Sequence, residues 1–166
     1  MILCYVDASA WSKRYTGEIG WEVLDVLLDE VALGGHALLI SSAISHAETY
    51  SALVRFRNRT TLPDDKFDQA INRITADQDK LFWLPVAEAV FRSCSPLILK
   101  HNINATDAAL LRVLLGLRDE VQTMGHRVWL VASDKRLLRA ATIEGLPCLD
   151  PEVSSPREVR QLFISE

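Results

Sequence analysis

Short apolar runs alternate along this chain with longer segments in which apolar residues recur every three or four positions. Short apolar runs bounded by polar or turn residues are typical of buried β-strands. The predicted strands cover residues 2–6, 36–40, 81–86, 127–132 and 147–149. Because proline cannot donate a hydrogen bond to a neighbouring strand, Pro85 predicts that the third run is an edge strand or ends there.

The segments between these runs have the spacing of amphipathic helices. They cover residues 8–15, 18–33, 43–57, a stretch through Phe67, Ile71 and Ile74, and then 87–100, 104–120 and 135–144. Gly34 and Gly35 are expected to end the second helix, and Ser41 and Ser42 to supply the cap of the third. A turn is expected at residues 60–65, and a disturbance at Pro96. Residues 155–163 have the pattern of one last, exposed helix.

Strands that alternate with helices are expected to pair in parallel through right-handed crossovers. The sequence therefore predicts an α/β fold, a three-layer α/β/α sandwich with a mainly parallel sheet of about five strands. Residues 1–150 would form the domain, and residues 151–166 a C-terminal tail with a short helix. In such sheets, ligands bind beyond the carboxyl ends of the strands.

Composition narrows the class of protein. The 166 residues are 49% hydrophobic and 24% charged, as in an ordinary globular domain. A net charge of −4 argues against a surface built for broad capture of nucleic acid, although it leaves room for a local basic rim. No run is long enough to span a membrane, and the apolar start is predicted to be a strand, not a signal peptide. Three widely spaced cysteines, Cys4, Cys94 and Cys148, suit buried positions in a reducing cytoplasm.

Four acids stand at comparable places in this pattern. Asp7 and Asp134 follow strands, Asp107 lies in the first turn of a helix, and Glu48 lies within one. Taken singly, Asp7 and Asp134 also fit helix caps, Asp107 fits the positive end of a helix dipole, and Glu48 fits an exposed surface. Taken together they would meet at one sheet edge, where such a cluster needs a cation.

The segments that carry these acids resemble the motifs of the PIN-domain family of metal-dependent ribonucleases, and within it the toxins of VapBC-type toxin–antitoxin pairs. The four segments, in chain order, are YVDASAWSKRY, SHAETYSAL, ATDAALLRVL and VASDKRLLRAA. Each motif is weak alone, but four in the right order make a fairly specific match. The resemblance spans residues 1 to about 150 and implies an endoribonuclease.

The resemblance implies that Asp7, Glu48, Asp107 and Asp134 are catalytic. Asp7 and Asp107 would bind Mg²⁺ or Mn²⁺ directly, and Asp134 directly or through water; Glu48 would either bind the ion or orient the attacking water. Three hydroxyl residues would support the carboxylates or metal-bound waters: Ser9, Thr106 and Ser133. Thr106 also fits the cap of its own helix. Attack by water would leave a 5′-phosphate and a 3′-hydroxyl.

One departure from the family pattern limits the metal content. Many relatives have a further acid just after the fourth motif, where this chain has Lys135 and Arg136. Four carboxylates imply one firmly bound ion and a second that depends on the RNA.

The resemblance also implies partners: an RNA substrate, a small antitoxin that covers the site, and a second copy of the chain in a homodimer. Basic residues near the motifs are candidates for binding the RNA backbone: Arg55, Arg59, Lys13, Lys135 and Arg136. For any one of them a solvated surface position is an equal alternative. The four histidines lack metal-ligand spacing, and the four tryptophans are expected in the core or an interface.

Other functions fit less well. A haloacid-dehalogenase phosphatase needs a second acid where Ser9 stands, a response-regulator receiver needs adjacent early acids, and a nucleotide-binding module usually has a glycine-rich turn after its first strand. The remaining alternative is a PIN fold that binds RNA or protein without catalytic turnover.

Overall fold

The computed structural model describes residues 1–32 and 37–164, with no side-chain description for Ile164. It contains a five-stranded parallel sheet in the order β3-β2-β1-β4-β5. The strands are β1 (Ile2–Val6), β2 (Ala37–Ser41), β3 (Phe82–Trp83), β4 (Arg127–Val131) and β5 (Cys148–Leu149). All five lie within or beside the predicted runs. As expected from Pro85, β3 is an edge strand and ends before that proline.

The described helices agree with the predicted periodicity, with shifted ends. They are α1 (Ala8–Trp11), α2 (Lys13–Thr16), α3 (Trp21–Ala32), α4 (Ala43–Thr60), α5 (Asp64–Asp77), α6 (Glu88–Ser93), α7 (Ser95–His101), α8 (Ala105–Gln122), α9 (Lys135–Ile143) and α10 (Pro156–Ile164). The predicted helix over residues 8–15 is divided at Ser12, and the one over residues 87–100 at Cys94. The glycine stop at Gly34 and Gly35, and the start of β2 at His36, lie outside the described residues.

Both faces of the sheet are covered by helices, as the three-layer prediction requires. Alternate residues of β1 point to opposite faces, so Ile2 and Cys4 join one apolar cluster while Tyr5 joins the other. The first cluster includes buried residues of α1, α3, α4 and α5, and the second those of α8 and α9. The strand ends are thereby fixed between two packed layers.

The C-terminal helix differs from its prediction. α10 was expected to be exposed, but it packs against α3, and its Val159 side chain is fully buried in the first cluster. The apolar positions of such a short segment do not reveal which surface will cover them. Residues 156–163 therefore contribute to the core.

Two further expectations from the sequence concern the cysteines and membrane-spanning segments. Cys4 and Cys94 are buried free thiols, and Cys148 is a half-buried one. In the described parts of the chain, we find no helix with the length and apolar character needed to cross a membrane.

Candidate functional site

The four predicted acids meet at the carboxyl edge of the sheet. Asp7 directly follows β1 and Asp134 lies just beyond β4, while α4 and α8 bring Glu48 and Asp107 to the same place. Burial raises the pKa of Asp7 and of Glu48, and neighbouring charges add to it: the charge of Asp134 raises the pKa of Asp7, and that of Asp7 raises the pKa of Glu48. The four acids therefore lie within electrostatic range of one another at this edge.

Asp7 is both a helix cap and a buried member of this cluster. Its Oδ2 accepts hydrogen bonds from the backbone N–H of Ser9 (2.9 Å) and from the Ser9 hydroxyl (2.6 Å), which begins α1. Burial is the main cause that raises the pKa of Asp7, and the bonds from Ser9 oppose it. Asp7 can cap the helix and also belong to the acid cluster, because Oδ2 accepts the capping bonds while Oδ1 faces the Ser45 hydroxyl.

Asp107 is affected by the charges of all three other acids. Burial raises its pKa to about 7, and the charges of Asp7, Asp134 and Glu48 add to the effect. Its side chain is 7% exposed, and its Oδ2 is buried without a hydrogen-bond partner in the described structure. A buried carboxylate oxygen without a donor is costly, and a bound cation would remove that cost.

Asp134 caps α9. Its Oδ1 accepts hydrogen bonds from the backbone N–H groups of Arg136 (2.8 Å) and Leu137 (3.0 Å). Because both bonds are accepted by Oδ1, Asp134 can cap the helix and still bind a cation through Oδ2.

Ser9 connects the ends of two strands. Its hydroxyl donates to Asp7 and accepts hydrogen bonds from the backbone N–H groups of Ser133 (2.9 Å) and Asp134 (3.2 Å). The expected supporting role of Ser9 is thus present in the geometry. Ser133 contributes its N–H, whereas its hydroxyl is buried and lacks a partner among the described residues, so the expected hydroxyl support is not seen there.

Thr106 supports Glu48 and does not cap its helix. Its hydroxyl lies 3.1 Å from Glu48 Oε1 and 2.8 Å from Asn104 Oδ1. Asn104 is the N-cap of α8 and accepts the N–H of Asp107, so the capping alternative for Thr106 is wrong. Burial, followed by the charge of Asp7, raises the pKa of Glu48, while Thr106 and Arg55 oppose that rise.

Two features of the site were not predicted from the sequence: the hydroxyl contacts of Tyr5 and the position of Asp150. The hydroxyl of Tyr5 lies 2.8 Å from those of both Ser42 and Ser45, and Ser45 in turn lies 3.5 Å from Asp7 Oδ1. Asp150 directly follows β5, so a fifth carboxylate stands at the same edge. The strand-then-acid pattern of Asp7 was a usable signal for Asp150, whereas the alternation within β1 gave none for Tyr5.

The basic candidates divide into two groups. Lys13 pairs with Glu152 (2.7 Å), Lys135 with Glu152 (3.0 Å) and Asp150, and Arg59 with Glu18 (2.8 Å). Arg55 lies close enough to Glu48 to lower its pKa. Arg136 is exposed. Of the five candidates, Arg55 and Arg136 are not engaged in a described ion pair.

The acids form an open cluster. Within residues 1–32 and 37–164, no three His, Cys, Asp or Glu side chains lie close enough together to hold a metal ion as a set. Mg²⁺ keeps several waters and takes only one or two carboxylates in many sites, so an open set of oxygen ligands suits it. The oxygen-only donor set and the unpartnered Asp107 Oδ2 fit such an ion.

We expect Ser9→Ala to lower Mn²⁺ affinity by about 10- to 100-fold, as for loss of a group that orients a metal ligand. The variant removes the hydroxyl that positions Asp7 and accepts two backbone N–H groups. Isothermal titration calorimetry with Mn²⁺ would measure the change. Ser51→Ala is the matched control, since the exposed Ser51 hydroxyl bonds only the Ala47 carbonyl in the described structure. Equal affinities in the two variants would contradict the role of Ser9.

Comparison with known proteins places the fold. No protein-family model and no curated protein sequence matches the chain. The crystal structure of PAE2754 from Pyrobaculum aerophilum is 16% identical with a TM-score of 0.59, and the match covers 99% of this chain and 97% of that one. VapBC-1 from nontypeable Haemophilus influenzae is 15% identical with a TM-score of 0.56, covering 91% of this chain and 98% of that one. Together with the sheet order, these likenesses show a PIN-like fold.

Proposed function

We propose that this protein is a divalent-metal-dependent endoribonuclease that hydrolyses RNA phosphodiester bonds, and that it is the toxin of a type II toxin–antitoxin pair. The observation that carries the proposal is the convergence of four carboxylates at the carboxyl edge of a PIN-like sheet, with a buried, unpartnered oxygen on Asp107. The likeness to VapBC-1 supports the toxin part of the proposal.

In this proposal Asp7, Asp107 and Asp134 hold Mg²⁺ or Mn²⁺, one ion firmly and a second only with RNA. The ion would supply a more acidic water and would neutralise charge on the phosphate. Thr106 bonds Glu48 Oε1, which leaves Oε2 to orient the attacking water. Water adds to phosphorus as the 3′-oxygen leaves with a proton, giving a 5′-phosphate and a 3′-hydroxyl.

The test is cleavage of single-stranded RNA by the purified protein in Mg²⁺ or Mn²⁺, with end analysis of the products. We expect EDTA to stop cleavage, and we expect ends that a 5′-phosphate-dependent exonuclease accepts. Products with 2′,3′-cyclic phosphate would contradict the proposed chemistry, because they require attack by the RNA 2′-hydroxyl.

Arg55 is proposed to contact the RNA backbone, because it shares the outward side of α4 with Glu48 and is exposed. Arg55→Ala should weaken RNA binding and lower the slope of log affinity against log salt by about one. Arg157→Ala on α10 provides the matched control, since Arg157 is also exposed but lies on another helix. Unchanged affinity and salt dependence in Arg55→Ala would rule out the contact.

The partners belong to the same proposal. A small antitoxin would cover the acids, and a basic side chain of it would pair with their carboxylates in place of the ion. A homodimer and a cytoplasmic location complete the expected setting. A short reading frame immediately upstream of the gene, and a copurifying small protein, would support the antitoxin.

A second candidate function is an RNA- or protein-binding module that performs no catalysis. The open arrangement of the acids within the described residues favours it. Stable RNA binding without turnover in Mg²⁺ or Mn²⁺ would establish the module and exclude the nuclease.

A further inference from the structure

An apolar groove opens at the same edge of the sheet as the acids. It has a volume of about 300 Å³, at the lower end of ligand pockets, and lies between the start of α4 and the segment that follows β3. Its lining residues carry no charge: Ala43, Ile44, Trp83, Leu84, Pro85 and Val86. Trp83 is not a core residue, because it is 44% exposed.

The wall of the groove is tied to the acid site. The backbone N–H of Leu84 donates to the Ser41 carbonyl (2.7 Å), and the Ser41 hydroxyl donates to the Val6 carbonyl (3.0 Å). Val6 is the residue before Asp7. Two hydrogen bonds therefore connect the groove with the strand end that carries the first acid.

The indole of Trp83 is held on one side and open on the other. The His46 ring meets it edge-on, with ring centres 5.3 Å apart. His46 is fixed in turn by the Gln78 side chain (3.0 Å) and by the Tyr50 ring. An exposed aromatic ring with a fixed orientation is a suitable platform for stacking a flat group.

The outward side of α4 carries an apolar, an acidic and a basic side chain in that order along the helix. Ile44 lines the groove, Glu48 lies one turn later, and Arg55 two turns after that. At 1.5 Å per residue, these steps are about 6 Å and about 10 Å along the helix. The apolar groove complements a nucleobase, and the acid site with its cation would complement the phosphate to be cut. Arg55, which has no described ion pair, complements a further phosphate of the same strand.

We propose that this groove binds a nucleobase next to the scissile phosphate, stacked on Trp83, and that the substrate is therefore single-stranded RNA or an RNA loop. This inference rests on the proposed nuclease function. Bases in a duplex are stacked inside it and cannot enter the groove, whereas bases of single strands splay out onto aromatic rings. Because the lining offers no polar side chain to read base edges, the groove should accept any base.

The experiment compares Trp83→Ala with Trp21→Ala. Trp21 is a matched control, because its side chain is 37% exposed and it lines a different cavity. Affinity for a ten-nucleotide oligoadenylate is measured by fluorescence anisotropy in Mg²⁺, in the Asp7→Asn background so that the RNA stays intact. We expect Trp83→Ala to weaken binding by about 5- to 150-fold, the range measured for loss of one base–aromatic stack.

Further arms separate the explanations. Trp83→Phe keeps a ring and should retain most of the affinity, and an unchanged circular dichroism spectrum of Trp83→Ala would exclude misfolding as the cause of its loss. Binding of an A10·U10 duplex should not change. Equal oligoadenylate affinities in Trp83→Ala and Trp21→Ala would overturn the proposal, as would a selective loss of a protein partner, which would assign the groove to that partner.

The failure of this inference is distinguishable from failure of the proposed function. If the parent protein cleaves RNA but Trp83→Ala binds and cleaves equally well, the base site alone is wrong. If the parent neither binds nor cleaves RNA, the nuclease proposal fails, and the base site fails with it.

Discussion

Asp7→Asn is expected to reduce metal-dependent RNA cleavage by about 10³-fold or more, because loss of one ligand charge removes several kcal/mol of electrostatic stabilisation. Asparagine is also a good N-cap and keeps an oxygen for the N–H of Ser9, so α1 should still begin at Ala8. The measurement is the single-turnover cleavage rate of a labelled RNA in saturating Mg²⁺, with the fold checked by circular dichroism.

Asp68→Asn is the matched control for this experiment, since Asp68 is an exposed aspartate on α5. It removes the same charge from the protein but none from the site, and it should cleave at the parent rate. Comparable cleavage rates for Asp7→Asn and the parent would show that Asp7 is not an essential metal ligand and would contradict the proposed site.

Asp107→Asn is expected to stabilise the metal-free protein, in contrast to most substitutions of buried residues. The folded-state pKa of Asp107 is raised to about 7 from an ordinary value of 3.8. The folded state therefore keeps this proton while the unfolded chain loses it, so stability falls as pH rises from about 4 to about 7. Asparagine avoids that loss, and we expect a gain on the order of 2 kcal/mol at pH 8.

Urea denaturation in EDTA at pH 5 and pH 8 would measure the gain, which should be larger at pH 8. Added Mn²⁺ should then stabilise the parent more than Asp107→Asn, because a ligand that binds the folded state adds its binding free energy. Asp119→Asn, an exposed change on the same helix, should show neither effect. A destabilised Asp107→Asn, or a gain that does not depend on pH, would mean that Asp107 is stabilised by a donor and not strained by its neighbours.

The position of the strand-end acids could be predicted from the sequence for a physical reason. Strands that are buried on both faces must be apolar throughout, so Asp7 marks the end of its strand by the change in polarity alone. Parallel pairing then places such ends at one edge. The same argument places Asp134 at that edge, whereas Glu48 and Asp107 are identified by the resemblance of their segments to the family motifs.

The finer contacts depend on groups that are distant in the chain. Lys135 adjoins Asp134 in sequence, yet its ammonium reaches Asp150 and Glu152, because the turn after β5 returns those acids beside the start of α9. Thr106 could equally have capped its helix, and only the approach of α4 gives its hydroxyl a second partner, Glu48. Sequence spacing constrains neighbours on one element, whereas these pairs join different elements.

The position of β1 between β2 and β4 has a consequence for the order in which the chain becomes active during its synthesis. Ile2 pairs with Arg127, and the Ser9 hydroxyl accepts hydrogen bonds from N–H groups 124 and 125 residues further along the chain. A nascent chain that has emerged only as far as α8 has one side of β1 uncovered and lacks Asp134. A nuclease that uses all four acids would therefore be inactive on the ribosome until the chain had been made beyond Asp134.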